Sequence, residues 1–385
     1  MQVKKSTLIW LMAMYTTISI TLPYEWRIGV IGIITTSTRA VLCGILIYII
    51  CKIRSGLMVI FVLYNAILLF STYYNGIDLT EQFTLSTTAI ALVGAFELVN
   101  TYASRRQFKM YIFYFVALVV INSIQTIVYG GARDVNDAYV CIFGDKNWYL
   151  YKILPALFLL LIYCAKCNKT LYNLKIVLLW LLALSSVIVA QSGAGTLVLL
   201  LWGLYVFLIP CIKRIQQNNS FDNYFVYCLI VFVVFMMIVV WNSVEMFAPI
   251  IVGLLGKDLT FTTRTTIWGR AMELIPKKPI LGYGALPGEE MVSLFFNIPF
   301  FTTTHNQYLG ELFKGGILLL VCFLVMVYLA FKHIQYSNNI DVKKAMTFGI
   351  FCLLLWWMME SITSMYLVLV LFICYHLPDA CDYTY

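Results

Sequence analysis

The sequence predicts an all-α, polytopic integral membrane protein with about 12 transmembrane helices and a large helical extracytoplasmic loop. Three observations support this class. Of the 385 residues, 62% are hydrophobic and 11% are charged, whereas soluble domains carry about a quarter charged residues. Apolar runs recur along the chain and leave no room for a separate soluble domain, and one long polar segment interrupts them late in the sequence.

These observations divide the chain into three parts. Residues 1–241 should form transmembrane helices 1–9, residues 242–307 the extracytoplasmic functional loop, and residues 308–385 helices 10–12 with a cytoplasmic tail. Runs of roughly 17–25 apolar residues can cross a bilayer as helices. We expect them at residues 8–22, 28–51, 57–74, 84–104, 110–128, 149–165, 174–190, 196–212, 223–241, 308–331, 346–360 and 362–377.

Basic residues gather in alternate connections between these predicted spans. The positive-inside rule then places both termini on the cytoplasmic side of the cell membrane. The net charge of +8 therefore does not indicate a nucleic-acid partner, because most of the cations lie in short loops, where they set the orientation. The eleven cysteines lie almost entirely in or beside apolar runs, which excludes a disulfide framework.

Other chemistries are poorly supported by the sequence. There are three histidines, and two of them fall on the cytoplasmic side, so we expect no metal site. A Walker A motif and a GxGxxG motif are both absent, so we expect no nucleotide and no other cofactor.

The polar loop after the ninth span should contain two helices. The first is predicted from about Arg264 to Ile275, and Pro276 would end it. A second, shorter helix could begin at Pro287. We expect the phenylalanines at positions 295, 296, 300 and 301 to dip into the membrane interface. The apolar face of the first helix comprises Ile267, Trp268, Ala271, Leu274 and Ile275.

Four cations of this loop are candidates for holding an anion. Arg264 points into the apolar face of its helix, where an unpaired guanidinium is unfavourable, and Arg270 flanks that face. Guanidinium groups match phosphate oxygens in a bidentate way, so a phosphate partner would offset the burial of Arg264. Lys277 and Lys278 follow the helix. For all four, contact with lipid headgroups is the alternative.

The pattern across this loop resembles a known family. The residues that carry the resemblance are Arg264-x3-Trp268, Pro279-x2-Gly282-x-Gly284, His305-Asn306-x-Tyr308-Leu309 and Lys314-Gly315-Gly316-Ile317. They resemble the O-antigen ligase and oligosaccharide repeat-unit polymerase family (Wzy-type polysaccharide polymerases). The motifs cover roughly Arg264 to Leu319. The resemblance implies a polytopic protein with a functional loop on the outer face.

The resemblance also implies an activity, namely a metal-independent, inverting glycosyltransferase. The donor would be a growing glycan on undecaprenyl pyrophosphate, and a second lipid-linked repeat unit would be the acceptor. The product would be a surface polysaccharide such as a capsule, an exopolysaccharide or an O-antigen. Undecaprenyl-pyrophosphate-linked oligosaccharides and membrane lipids would be the partners, with other polysaccharide-assembly proteins as further candidates.

Individual residues take roles from the same resemblance. Arg264 and Arg270 would stabilise the leaving pyrophosphate. His305 would either accept a proton from the acceptor hydroxyl or share the phosphate, and both roles stay open. Asn306 would orient His305 or a sugar hydroxyl. Tyr308 and Glu311 are candidates to orient the histidine ring, and ordinary interfacial packing is their alternative.

Two further arginines are candidates for a phosphate contact. The family often carries a Ser-Arg-Gly element where this chain has Gln191-Ser192-Gly193, so Arg39 or Arg133 would replace the missing arginine. Arg39 and Glu97 also lie at similar depths inside predicted spans. Because charges at such depth are usually paired, an ion pair between these two side chains is a second hypothesis.

Two alternative functions stay open. A ligase would transfer finished glycan to a lipid core. A polymerase is favoured over it because the bias toward Ile, Asn, Lys and Tyr hints at an AT-rich source without lipid A. A flippase for the same lipid-linked sugar is less favoured. Transporters commonly show internal repeats and midplane sites, whereas this chain shows no repeat and its cations gather at the outer face.

Overall fold

A computed structural model of the protein describes residues 5–21, 55–130, 132–133, 139–168, 174–207, 223–241, 243, 253, 264–298, 301–361 and 365–378. Helices dominate these ranges: α1 Lys5–Thr21, α2 Gly56–Tyr74, α3 Thr80–Tyr102, α4 Arg105–Tyr129, α5 Tyr149–Asn168, α6 Leu174–Val189, α7 Gly193–Phe207, α8 Tyr224–Phe235, α9 Arg264–Leu274, α10 Gly288–Leu294, α11 Gln307–Ile334, α12 Ile340–Trp356 and α13 Met365–Tyr375. A π-helical turn, Met236–Val240, extends α8, and 3-10 turns span Lys146–Trp148 and Ile275–Lys277.

A helix overlaps each predicted span that falls within the described ranges; the span predicted at 28–51 lies outside them. Five of the described helices are long and apolar enough to cross a membrane, and three more apolar helices are shorter. The chain is thus a helical, multi-pass membrane protein. The total of about 12 crossings and the cytoplasmic location of the termini stay predictions.

The outward faces of several helices also fit a membrane. Phe113 of α4 is 71% exposed and Leu229 of α8 is 60% exposed, and other large apolar side chains lie open on the same helices. Such continuous apolar surface is unfavourable in water and is expected where lipid contacts the protein. Three exposed tyrosines and one exposed tryptophan lie at the ends of α2, α4 and the π-helical turn after α8, as in interfacial aromatic belts: Tyr73, Tyr74, Tyr129 and Trp241.

A small antiparallel sheet departs from the all-α prediction. It has the order β1-β2-β3 and comprises Ala132–Arg133, Tyr139–Cys141 and Gly144–Asp145. Two polar side chains of α4 hold the chain that follows β2. The Gln125 Oε1 accepts from the Ile142 amide at 2.9 Å, and the Asn122 Oδ1 accepts from the Phe143 amide at 2.9 Å. Polar residues within an apolar helix therefore hold this sheet against α4.

The loop helices form a core of their own. The predicted apolar face of α9 is confirmed for Ile267, Trp268, Ala271 and Leu274, which are all buried. Ile275, the fifth predicted residue, is half-buried and lies in the 3-10 turn that follows the helix. The expectation that the loop phenylalanines dip into lipid is wrong for two of them, because Phe295 is 0% and Phe301 is 2% exposed. Phe295 packs edge-on against Phe313 of α11, with ring centroids 5.5 Å apart. Phe296 is 52% exposed, and residue 300 lies outside the described ranges.

Helix α11 is broken at Gly316, whose φ of 63° and ψ of −160° are not helical. The break frees two carbonyl groups that the loop then satisfies. The Tyr283 amide donates to the Phe313 oxygen at 2.7 Å, and the Gly284 amide donates to the Lys314 oxygen at 2.9 Å. On the other side of the break, the Ile317 amide donates to the Pro279 oxygen at 2.9 Å. The loop turn and the broken helix therefore stabilise each other.

The glycines of the sequence motif make this contact possible. A Cβ on Gly316 would lie 2.2 Å from the Ile280 carbonyl carbon, and a Cβ on Gly282 would lie 2.5 Å from the Phe313 oxygen. Both residues also have positive φ, which side chains with a Cβ rarely adopt. Close packing between the loop turn and α11 thus requires glycine at positions 282 and 316.

Candidate functional site

The starts of α9 and α11 meet the end of α12 at one end of the bundle. Arg264 is the first residue of α9, and its Nη2 lies 2.6 Å from the Glu360 Oε1. Its Nη1 donates to the Met359 oxygen. The Glu360 side chain is 6% exposed and the Arg264 side chain 17%, so this is a largely buried ion pair. A buried guanidinium needs a partner of this kind.

Glu360 is a site residue that the sequence reasoning missed. An external anion was expected to offset the burial of Arg264, and in the structure a carboxylate of the same chain lies against the guanidinium. The available signal was weak: Glu360 is the last residue of the span predicted at 346–360. An acid at the end of a span, level with the functional loop, is a candidate partner for a loop arginine.

His305 contacts the same carboxylate. Its Nδ1 lies 3.8 Å from the Glu360 Oε2, and its side chain is 29% exposed. Glu360 therefore lies between Arg264 and His305, with one oxygen toward each. The backbone of His305 has a φ of 47°, a left-handed conformation that is uncommon for residues other than glycine. Backbone strain of this kind clusters at functional sites, where the surrounding structure holds it in place.

The residues after His305 anchor it to α12. Asn306 is fully buried and caps α11, since its Oδ1 accepts from the Leu309 amide at 3.0 Å. Its Nδ2 donates to the Met358 oxygen at 3.0 Å, and the Gln307 amide donates to the Trp357 oxygen at 2.7 Å. Asn306 thus fixes the position of His305 through the backbone.

Tyr308 is anchored in the same direction. Its hydroxyl donates to the Leu354 oxygen at 2.9 Å, so it also ties the first turn of α11 to α12. This contact agrees with the packing alternative for Tyr308.

Arg270 makes its described contacts within the loop. Its Nε donates to the Leu294 oxygen at 2.9 Å, its Nη1 lies 2.9 Å from the Glu273 Oε2, and its guanidinium lies 5.3 Å from the Phe296 ring centre. Burial raises the pKa of the nearby Tyr283 hydroxyl, and the Arg270 charge opposes that rise. These contacts join α9 to α10, and none of them reaches His305.

The two lysines differ in their surroundings. Lys277 is exposed. Lys278 donates to the Asn75 Oδ1, and its ammonium lies 4.8 Å from the Tyr283 ring centre, so it joins the loop to the end of α2.

The side chains of the other two candidate arginines, Arg39 and Arg133, lie outside the part of the protein that the structure describes. Arg133 lies on β1, but its side chain is outside the described part, and Arg39 lies outside the described residues altogether. The Arg39–Glu97 pairing hypothesis is therefore untested. Within the described part, the Glu97 Oε2 lies 2.9 Å from the His376 Nε2, and both side chains are buried.

A second buried carboxylate lies on α11 just beyond the site. Glu311 is 1% exposed, and the Tyr64 hydroxyl of α2 lies 3.0 Å from its Oε1 and 2.9 Å from its Oε2. The Gln307 Nε2 also donates to Oε1. Glu311 therefore joins α2 to the helical turn that follows His305.

Comparison with known families supports the resemblance seen in the loop motifs. A model of the O-antigen ligase family matches residues 177–324, which confirms the resemblance found in the loop motifs. Members of this family transfer glycosyl groups. The matched segment includes Arg264, His305 and the break at Gly316, and it ends before Glu360. No curated protein matches the chain.

Proposed function

We propose that the protein is a membrane glycosyltransferase that polymerises undecaprenyl-pyrophosphate-linked oligosaccharide repeat units into a surface polysaccharide. The reaction takes place on the outer face of the cytoplasmic membrane. One observation carries the proposal: Arg264 and His305 meet at Glu360, at the end of a helix bundle and next to a loop that matches a glycan-transferring family. A polyprenyl chain can stay in lipid there while its headgroup reaches the site.

Arg264 stabilises the leaving group in this proposal. A guanidinium has five N–H donors in a fixed plane, and contacts with Glu360 and Met359 occupy Nη2 and Nη1. Further donors of the same group bind the pyrophosphate oxygens as negative charge builds on them. Preorganised donors of this kind are commonly worth about 3–4 kcal/mol of transition-state stabilisation. Glu360 holds the guanidinium in place before the donor arrives.

His305 acts as the general base. Glu360 faces its Nδ1, so this carboxylate orients the ring and leaves Nε2 for the acceptor. The acceptor hydroxyl attacks the anomeric carbon and its proton passes to Nε2. A new glycosidic C–O bond forms while the bond between the anomeric carbon and the phosphate oxygen breaks. Undecaprenyl pyrophosphate leaves with the bonding electrons, and a single displacement of this kind inverts the anomeric configuration.

The remaining predicted residues have supporting roles. Asn306 and Tyr308 hold the backbone that carries His305, and Arg270 and Lys278 hold the shape of the loop. The exposed Lys277 meets headgroups or the incoming glycan. Arg39 and Arg133 stay candidates for a further phosphate contact. The reaction as written needs neither a metal nor a cofactor.

A ligase is the second candidate function. The description of the matched family favours it, because it names O-antigen ligases. A ligase would use the same donor and the same leaving group, and the acceptor would be a lipid core in place of a second repeat unit. The two functions therefore differ in the product formed.

Reconstitution tests the proposal. Protein in liposomes is supplied with lipid-pyrophosphate-linked repeat units, and products are separated by chain length. The wild type should produce a ladder of increasing length, whereas His305→Ala and Arg264→Ala should leave single units. Arg106→Ala is the matched control, because it removes an exposed cation at the start of α4. A full ladder from both site variants contradicts the proposal. Transfer to an added lipid core without a ladder indicates a ligase.

A further inference from the structure

The Glu311 carboxylate is buried within a helix long enough to span the membrane, and the proposed reaction does not use it. Ionisable groups at such positions are unfavourable unless they are paired or functional. The direct hydrogen-bond partners described for Glu311 are neutral, namely the Tyr64 hydroxyl and the Gln307 amide. Lys314, one turn further along α11, interacts with it through charge.

The contact with Gln307 connects Glu311 to the proposed base. Gln307 lies two residues after His305 and is 3% exposed. Its side chain donates to Glu311, and its backbone amide donates to the Trp357 oxygen at 2.7 Å. Gln307 is therefore held by its side chain to Glu311 of the same helix, which Tyr64 of α2 contacts in turn, and by its backbone to Trp357 at the end of α12.

The break at Gly316 makes this bracing necessary. It interrupts α11 after the turns that begin at Gln307, so contacts with neighbouring helices have to position these turns. These turns are held on the α12 side by Asn306 and Tyr308. On the α2 side, the Tyr64 hydroxyl donates to Glu311, and the Ser71 hydroxyl donates to the Lys314 oxygen at 2.8 Å.

We propose that Glu311 is a positioning residue for His305 and acts through Gln307. The inference rests on the proposed function of His305 as the base. Glu311 braces the short helical segment against α2, so that the strained backbone at His305 presents the ring to Glu360. Its role is to accept hydrogen bonds in a fixed geometry. It does not take the proton of the acceptor hydroxyl.

Two substitutions at position 311 separate positioning from proton transfer. Glu311→Ala removes the brace and should lower kcat by about 10- to 100-fold, because small displacements of reacting groups have effects of this size. The KM for the lipid-linked donor should stay close to that of the wild type. Glu311→Gln should retain a kcat close to that of the wild type, because the amide oxygen accepts from Gln307 and the amide nitrogen donates to the Tyr64 oxygen. Loss in Glu311→Gln equal to that in Glu311→Ala overturns the inference.

A double variant tests the route through Gln307. Gln307→Ala removes the same link from its other end, so it also serves if Glu311→Ala fails to fold. It should reproduce the loss of kcat. Because both changes break one connection, Gln307→Ala combined with Glu311→Ala should be no slower than the slower single variant. Multiplied losses overturn the inference, since independent effects combine in that way.

Histidine NMR gives a readout that does not depend on activity. The chain has three histidines, so selective labelling of the rings gives three signals, and His305→Gln assigns one of them. Glu311→Ala should shift the His305 signal and leave the signals of His333 and His376 in place. An unchanged His305 signal overturns this inference and leaves the proposed function standing. A full ladder from His305→Ala would instead overturn the proposed role of His305 as the base, on which this inference rests.

Discussion

Within the residues that the structure describes, two histidines each lie against a glutamate, and the two pairs differ in solvent access. The Glu97–His376 pair has a nitrogen-to-oxygen distance of 2.9 Å, with side chains 1% and 9% exposed. In the His305–Glu360 pair the distance is 3.8 Å and the histidine is 29% exposed. The second pair also shares its carboxylate with Arg264 and has a left-handed histidine backbone.

The difference shows that an acid and a base need access to the substrate, and not only a short distance between them, before they can act on it. The closer pair has the better ion-pair geometry, but it is enclosed by packed helices. The more open pair lies at a helix end beside a loop and a cation. The longer distance in this pair is compatible with a catalytic role, since catalytic hydrogen bonds often tighten only when the substrate binds. We therefore expect the Glu97–His376 pair to stabilise the fold and the His305–Glu360 pair to perform chemistry.

The largest expected effect is the difference between removal of His305 and removal of His376. His305→Ala should lower the rate of chain growth per folded molecule by about 10²- to 10⁴-fold, the usual range for loss of a general base. His376→Ala should instead lower the yield of folded protein, because it leaves the Glu97 carboxylate without that partner. Chain growth in liposomes divided by the amount of folded protein gives the rate per folded molecule, and the amount of folded protein itself gives the yield. Equal losses per folded molecule would remove the distinction between the pairs.

The two loop arginines should differ next. Arg264→Ala should lower chain growth by about 10²- to 10³-fold, as expected for loss of one transition-state donor. Arg270→Ala breaks contacts to Leu294 and Glu273, so its main effect should be a lower unfolding temperature. The same assay, together with thermal unfolding in detergent, compares the two variants. A greater loss of rate in Arg270→Ala would place the leaving group nearer to Arg270.

The two glutamates give the third comparison. Glu360→Gln keeps the side-chain shape but removes the charge that holds Arg264 and faces His305. We expect about a 10- to 100-fold loss of rate, since the reacting groups stay present but less well placed. Glu97→Gln should keep the rate per folded molecule. A wild-type rate of chain growth with Glu360→Gln would show that this carboxylate does not orient Arg264 and His305.

The smallest effect concerns the backbone that supports the open pair. Gly316→Ala introduces a Cβ at a positive φ against the Ile280 carbonyl, which should lower the free energy of unfolding by about 1–3 kcal/mol. Gly269 of α9 is the matched control, because a Cβ there meets no atom within 4 Å. Unfolding by denaturant in detergent measures both variants. Equal stability of the two would mean that the break in α11 is not constrained.

The sequence predicted the helices more reliably than the contacts between them. Apolar runs located the helices in the described ranges, and the apolar spacing of residues 267, 268, 271 and 274 located the buried face of α9. Both signals are local, because they depend on the length and period of one segment. The small sheet of β1, β2 and β3 was missed, because its docking depends on Asn122 and Gln125 of a neighbouring helix.

The partner of Arg264 was missed for a related reason. The sequence showed a cation on an apolar face, and burial required a negative partner, but 96 positions separate Arg264 from Glu360. A charge requirement fixes the sign of the partner and does not fix which residue supplies it. The glycine motif gives the opposite case. Its pattern marked a functional region, and the structure shows that Gly282 and Gly316 serve backbone packing beside the site.

Binding of the leaving group tests the central claim most directly. Undecaprenyl pyrophosphate is titrated into purified wild type, Arg264→Ala and the charge-matched control Arg106→Ala in detergent. If the end of the bundle around Arg264 holds the pyrophosphate, Arg264→Ala should bind about 10- to 100-fold more weakly, as expected for loss of charged hydrogen bonds, while Arg106→Ala binds as the wild type does. Equal affinity of Arg264→Ala and the wild type would contradict the account.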